Sequence, residues 1–231
     1  MANRIPLVVV SSELLIKELP AVDDLDIANS SIRNINVANA VTVNTATLIG
    51  NSSLTITTGA SSNGNIIISA NNTEDIRITP EGNVGFGIST PNARVHIAGT
   101  TILEEILEKS NVSATAMGAN ANVDILDCAI HFYTANSTAN TTLNIRGNST
   151  VTLNSVMSTN QSLTIAFVIT NGTSAFRVGN VQLDGANTTI KWSGGSAPTA
   201  CSNSTEAYAF TIIKTGAAAQ YTLLGSKTQF A

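Results

Sequence analysis

At 231 residues the chain is long enough for one large domain or two small ones. It is 43% hydrophobic but only 11% charged, against about 25% charged in an ordinary globular domain, so amides and hydroxyls hydrate its surface more than ions do. A net charge of −4 without any Lys/Arg cluster excludes an electrostatic nucleic-acid footprint, and no apolar run reaches the roughly 18 residues of a membrane-inserted helix.

The first thirty residues carry Glu13, Glu18, Asp23, Asp24 and Asp26 against Arg4 and Lys17. Their apolar side chains, Pro6, Leu7, Val8, Val9 and Val10 followed by Leu14, Leu15 and Ile16, are costly to leave in water. Residues 1–31 therefore read as a segment that orders on a partner, the plain alternative being a frayed terminus. The run is short and lacks a small-residue cleavage site, so a secretory leader is not expected. Synthesis in a cytoplasm and release by another route, such as lysis, is the expectation.

From Ile32 to Ile97 the hydrophobic period is two. Ile35/Val37, Val41/Val43, Leu54/Ile56, Ile66/Ile68, Ile76/Ile78 and Val95/Ile97 alternate with polar residues, and Gly, Asn and Ser clusters separate them, as strands and turns require. Phe86 is the only aromatic residue before Phe132. A monomeric sandwich fills a gap of about 10 Å between its sheets with large side chains. A core of Ile, Val, Leu, Ala and Thr suits a thinner stack, so residues 32–99 read as a β-rich shaft in which three chains form a prism. The irregular turns disfavour a solenoid.

Within this region Pro80–Gly99 reads PEGNVGFGISTPNARVHIAG: a turn, the strand Val84–Ile88, a turn at Thr90–Pro91, and the strand Arg94–Ile97. Strands so short and glycine-broken are marginal alone. GNVGFG is not a phosphate-cradling loop, because no helix follows it directly. Its glycines are expected to allow close backbone approach between chains. Thr101–Lys109, TILEEILEK, predicts a short helix with a capping box (Thr101, Glu104), an i,i+4 pair (Glu105, Lys109) and an apolar stripe of Ile102, Leu103, Ile106 and Leu107. The stripe faces either two symmetry mates, as a collar, or the following domain. Residues 111–122 read as linker, completing a 100–122 helix-and-linker segment.

From Val123 the texture changes, and eight of the ten aromatic residues lie beyond Phe132. Strands are predicted at Val123–Tyr133, Thr142–Ile145, Val151–Met157, Ser162–Thr170, Ala175–Leu183, Thr188–Trp192, Ala207–Lys214 and Tyr221–Leu224. Residues 123–231 therefore read as a jelly-roll-like β-sandwich able to bury a real core.

The run ITPEGNVGFGISTPNARVHIAGT resembles the TxxGNVGIGTxxPxxxLHVxGT block that ends the fibrous part of many bacteriophage tail fibres. The opening ANRIPLVVV…IKELPAVDDLDI resembles the N-terminal block of structural proteins of phages that infect cyanobacteria. The RGNSTVTLNSVMSTNQSLTIAF and KWSGGSAPTA…YAFTIIKT runs resemble a domain recurring in cyanophage tail and fibre proteins. What the resemblance implies is an all-β virion structural protein on the particle exterior: N-terminal anchor, trimeric β-prism-like shaft, short helix, jelly-roll-like head. Its expected partners are two copies of itself, other virion proteins through the N-terminal segment, and a host-surface glycan or protein. The anchor residues would be Pro6, Leu7, Val8, Val9, Leu14 and Leu15, and the trimer interface Val84, Phe86, Ile88, Ile102, Ile106 and Leu107. A capsid or tail decoration protein, or a glycan depolymerase, are the alternatives.

No catalytic grouping stands out, no cofactor or metal is expected, and the chain is read as a non-enzyme. Beyond Ser110 the acids are Asp124, Asp127, Asp184 and Glu206. A glycosidase would need two of them opposed, and Asp184 with Glu206 is the one candidate pair. Asp127, Cys128 and His131 lie close in sequence, yet no second Cys/His pair stands at zinc spacing. On one strand Asp127 and His131 would share a face and Cys128 the other. His96 shares its face with Arg94 and is expected to be exposed or interchain. Cys128 and Cys201 are expected to be buried free thiols. Trp192, beside Ser193-Gly194-Gly195-Ser196, is the best ligand candidate, with Tyr208 and Tyr133 as helpers; the alternative is that its indole fills the sandwich core or rim.

Overall fold

The computed structural model describes residues 7–10, 15–18, 55–58 and 64–230. They are nearly all β, as expected, and the chain divides near residue 100 into two compact units. The predicted strand pairs Ile35/Val37 and Val41/Val43, and residues Pro6, Leu14 and Leu54, lie outside the described residues.

In the first unit, β1 (Leu7–Val10) and β2 (Leu15–Glu18) pair antiparallel, with Leu7 opposite Glu18 and Val10 opposite Leu15. A second sheet has the order β3-β4-β5-β6: Ile66–Ala70, Thr73–Ile78, Val84–Phe86 and Val95–Ile97. Asn71 and Asn72 close its hairpin at φ of 50° and 58°, the left-handed pair that a tight two-residue turn demands. Ile56 is exposed and in no strand. The register aligns two apolar rows across one face, Ile66–Ile78–Val84–Val95 and Ile68–Ile76–Phe86–Ile97. Ile68, Phe86, Val95 and Ile97 are exposed, and Ile88 is half-buried just beyond β5. Gly85 is tight within its own chain: a Cβ there would come within 2.4 Å of the Ile88 carbonyl oxygen.

The predicted Thr101–Lys109 helix is absent, and the segment is irregular. Two turns of helix hold only if their stripe is buried. Here Ile102 is 90% and Leu107 92% exposed, so capping and propensity alone do not carry the helix. Residues 111–122 are not linker either. All but 117–119 belong to β7 (Ser110–Ala116) and β8 (Asn120–Asp124) of the second unit.

That unit is a two-sheet sandwich. The chain passes back and forth between the layers: β7, β9 (Ile130–Asn136) and β11 (Ser162–Asn171) fall in one sheet. The strands β8, β10 (Thr141–Arg146) and β12 (Val178–Leu183) fall in the other. Each return runs in the same direction, so neighbours within these triplets pair parallel. A jelly roll pairs its strands antiparallel in Greek keys. The sandwich expectation thus holds while the jelly-roll detail is corrected. A short β13 (Ala186–Thr188) ends the four-stranded sheet, ordered β13-β12-β10-β8. The remaining strands are β14 (Ile190–Trp192), β15 (Ser204–Gly216) and β16 (Gln220–Phe230), completing the order β14-β16-β15-β11-β9-β7.

Alternation seats the core. Val123, Leu143, Ile145, Val181 and Leu183 from one sheet meet Ile165, Phe167, Tyr208, Phe210 and Leu223 from the other. Two predicted strands are corrected. Val123–Tyr133 is broken by a turn, where Ile125 and Leu126 donate to the carbonyls of Arg146 and Gly147. Val151–Met157 contains a helical turn, α1 (Leu153–Val156), which tertiary contacts impose on a β-prone stretch. The Thr152 hydroxyl accepts from the Ser155 amide at 3.1 Å, and the Asp184 carboxylate accepts from the amides of Leu153 and Asn154 at 2.6 and 3.0 Å. At its other end the buried Lys214 ammonium donates to the carbonyls of Asn154 and Met157.

Candidate functional site

Trp192 ends β14, the edge strand of the larger sheet, opposite Gly225 of β16. Its indole is half-buried and meets Tyr208 and Phe210 edge-on, with ring centres 6.4 and 5.8 Å away. The ring fits because residue 225 has no side chain: a Cβ there would lie 2.9 Å from Cζ3 of Trp192. A turn follows immediately, with the Gly195 amide donating to the Trp192 carbonyl at 3.0 Å and Gly194 and Gly195 at φ of 80° and 79°. One side of the ring packs on the core, as the core-or-rim alternative expects, and the residue also lines two recesses. One, of about 360 Å³, opens on the outer face of the larger sheet between Lys191, Thr211, Leu224 and Ser226. The other, of about 290 Å³, lies where the chain crosses between the layers, between Asn180, Asn187, Thr188 and Thr189.

The loop after Trp192 is fixed at its far end by a buried ionic cluster. The fully buried Glu206 carboxylate accepts from the Cys201 amide at 2.6 Å, the Tyr208 hydroxyl at 2.7 Å and the Lys227 ammonium at 2.9 Å. Lys227 also donates to the Thr199 carbonyl at 2.7 Å, and the Asn171 amide donates to the carbonyls of Cys201 and Phe176. Burial, with the Glu206 charge beside it, pushes the Tyr208 phenol far above its usual range. Tyr208 is therefore a neutral hydroxyl donor that holds the loop. With no exposed surface it does not touch a ligand, which corrects the expectation for that residue. Tyr133 lies four strand spacings from β14, about 19 Å away. It packs against Phe167 at 5.4 Å and does not join Trp192.

The polar side of the smaller sheet adds what sequence reading missed. Parallel register places Asn122, Asn144 and Gln182 in one cross-strand row, which the antiparallel β13 extends with Asn187, and Asn120, Thr142 and Asn180 in the next. The Asn144 amide donates to Asn122 Oδ1 at 3.2 Å, and Asn180 and Gln182 both donate to Asn187 Oδ1, at 2.7 and 3.1 Å. Asp124 and Arg146 close the next row as an ion pair at 2.7 Å. The signal in the sequence was amides at every second position of β8 and β12. Their alignment depends on a parallel topology that the sequence does not announce.

The remaining candidates separate. Asp184 caps α1 beside Lys214, whereas Glu206 lies eight residues earlier on β15, roughly 26 Å along the strand. A glycosidase pair needs about 5–9.5 Å, so these two acids do not form one. Cys128 lies in the turn before β9, so the shared-strand geometry expected for Asp127, Cys128 and His131 is not formed. His131 Nε2 stands 3.3 Å from the Cys128 carbonyl and 3.8 Å from its sulfur. Both cysteines are free; Cys128 is buried and Cys201 half-buried. Among the described residues no cluster of three His, Cys, Asp or Glu side chains has metal-binding geometry, and no helix is long and apolar enough to cross a membrane. Arg94 donates to the Glu81 carbonyl at 2.9 Å, and His96 Nδ1 accepts weakly from the Asn92 amide.

No family model, curated protein or solved structure matches the chain.

Proposed function

We propose that the chain is a non-enzymatic virion structural protein, a homotrimeric phage fibre. Its N-terminal segment attaches it to other virion proteins, and its sandwich is an adhesive head for the host surface. The observation that carries the reading is the two-row apolar face of the β3–β6 sheet, with Ile68, Phe86, Val95 and Ile97 exposed in one chain. A large exposed apolar patch marks an interaction surface. Three copies packed face inward would give the prism its interior, with Val84, Phe86 and Ile88 at the contact. Ile102, Ile106 and Leu107 would extend that contact along the chain.

Adhesion then works by number. Three identical heads on one stiff support turn a weak surface contact into durable attachment, since the second and third contacts are intramolecular. The likeness of residues 78–100 to the terminal block of phage fibres supports the same reading. Light scattering on the purified protein tests it. The expected mass is three times the 23.9 kDa of one chain, and a monomer at working concentration overturns the proposal.

A further inference from the structure

We infer that the outer face of the four-stranded sheet, continued by the Trp192 recess, binds an uncharged, hydroxyl-rich glycan chain laid across the strands. This names the ligand class of the adhesive head and rests on that proposal for its biological setting.

The first ground is the amide row. Asn122, Asn144, Gln182 and Asn187 recur once per strand, at the sheet spacing of about 4.8 Å. That step is close to the advance of one sugar ring in an extended chain, so successive rings meet the same chemistry. The second ground is preorganisation. The amides are held by one another, and the Gly185 amide fixes Asn144 Oδ1 at 2.8 Å. Each carboxamide has two donors and an acceptor oxygen, so these bonds orient the row while leaving N–H groups of Asn122 and Asn187 free. A ligand meeting such a row does not have to immobilise it first.

The third ground is charge. On this face Asp124 and Arg146 neutralise each other, and Asp184 at its end is engaged by the amides of Leu153 and Asn154. The amide rows thus carry no charge of their own, Lys191 standing beyond their end in a recess it shares with Asn187, and the face lacks the apolar centre of a protein interface. The last ground is the end of the row. Asn187 and Asn180 share their recess with Trp192, which sets an aromatic surface for the C–H face of a sugar beside amides for its hydroxyls.

Trp192 is the only tryptophan in the chain, so its emission reports directly on this site. Full-length protein is titrated with four neutral polysaccharides (dextran, laminarin, galactomannan and arabinoxylan), with alginate as the acidic comparison. The expected result is a saturable emission change with at least one neutral polymer, insensitive to salt. Asn187→Ala, beside the indole, and Asn122→Ala, at the far end of the row, should each weaken binding about tenfold while leaving the unfolding midpoint in place. No response to any neutral polymer overturns the inference. So does a response to alginate alone that salt abolishes, or binding that both variants retain. Mass measured on the same samples keeps the two proposals apart: a trimer that ignores every glycan sinks only this one, and a monomer that binds sinks only the fibre.

Discussion

The two units draw on the same device, strands with alternating apolar side chains, and reach opposite outcomes. Among the described residues every member of the buried core falls between Met117 and Leu223, in the sandwich. Among residues 64–100 the one buried position is Gly85, although two rows of four apolar side chains line up across that sheet. Alternation therefore decides which side chains share a face, but not what covers the face. In the sandwich a second layer does so, and Phe167, Tyr208 and Phe210 fill the space between the layers. The β3–β6 sheet has one aromatic residue and, among the described residues, no opposing layer.

The sharpest way to break that contrast is to charge the bare face. Ile68→Asp with Phe86→Asp would bury six unpaired carboxylates in a trimer, each costing several kcal/mol. Assembly should be lost outright, with the scattering mass falling to that of one chain while the head's denaturant transition stays in place. Retained trimers would mean that this face is not the contact. The reciprocal test is Glu206→Gln. It leaves Lys227 without its buried carboxylate and should cost the head about 3–5 kcal/mol, read from its urea midpoint, with the trimer mass unchanged.

How far this was legible in the sequence follows from the same physics. Clean period-two alternation with Phe, Tyr or Ile at the inward positions marks Ser162–Asn171 to within one residue and the central part, Ala207–Lys214, of the longer strand Ser204–Gly216. Leu153–Val156 reads as strand in the sequence because what makes it helical, the Asp184 carboxylate and the Lys214 ammonium, lies 30 and 60 residues away in the chain. The Thr101–Lys109 segment failed in the opposite sense: good local helix signals with no surface to bury their stripe. At the candidate site Trp192 was visible because an indole beside two glycines is rare in so polar a chain. Tyr208 was misjudged because sequence cannot show that its row faces inward, and the amide row needed the parallel register.

A smaller perturbation probes how tightly the sandwich is closed. Gly225→Ala places a methyl group 2.7 Å from Ile190 Cγ2 and 2.9 Å from the indole, with edge strand β14 as the part able to yield. Overpacking of this kind should cost about 1–3 kcal/mol and shift the Trp192 emission toward that of a solvated indole. An unshifted spectrum with full stability would mean that β14 is loosely held and the head is less closed than its core implies.

The least of the expected effects separates the units by acidity. Burial holds the His131 imidazole below its ordinary value near 6.5, against the opposing pull of the Cys128 carbonyl and the charges of Asp124 and Asp127. The ring is thus neutral at pH 7, with Nε2–H donating to the Cys128 carbonyl and Nδ1 facing the Asn111 amide. A folded-state value below the unfolded one means that the unfolded chain takes up the proton first as pH falls. This contribution to stability is complete above about 6.5 and declines as pH drops through it, levelling off below the folded value. Urea unfolding of the head should therefore show a lower midpoint at pH 5.5 than at 7.5, and His131→Asn should narrow the gap. Glu74 in the small sheet titrates the same way for another reason: its pairing with Arg77 holds the carboxylate low, so its contribution disappears only at more acid pH. A head that loses nothing between pH 7.5 and 5.5 would mean that His131 already reaches water, and that the sandwich opens at β9.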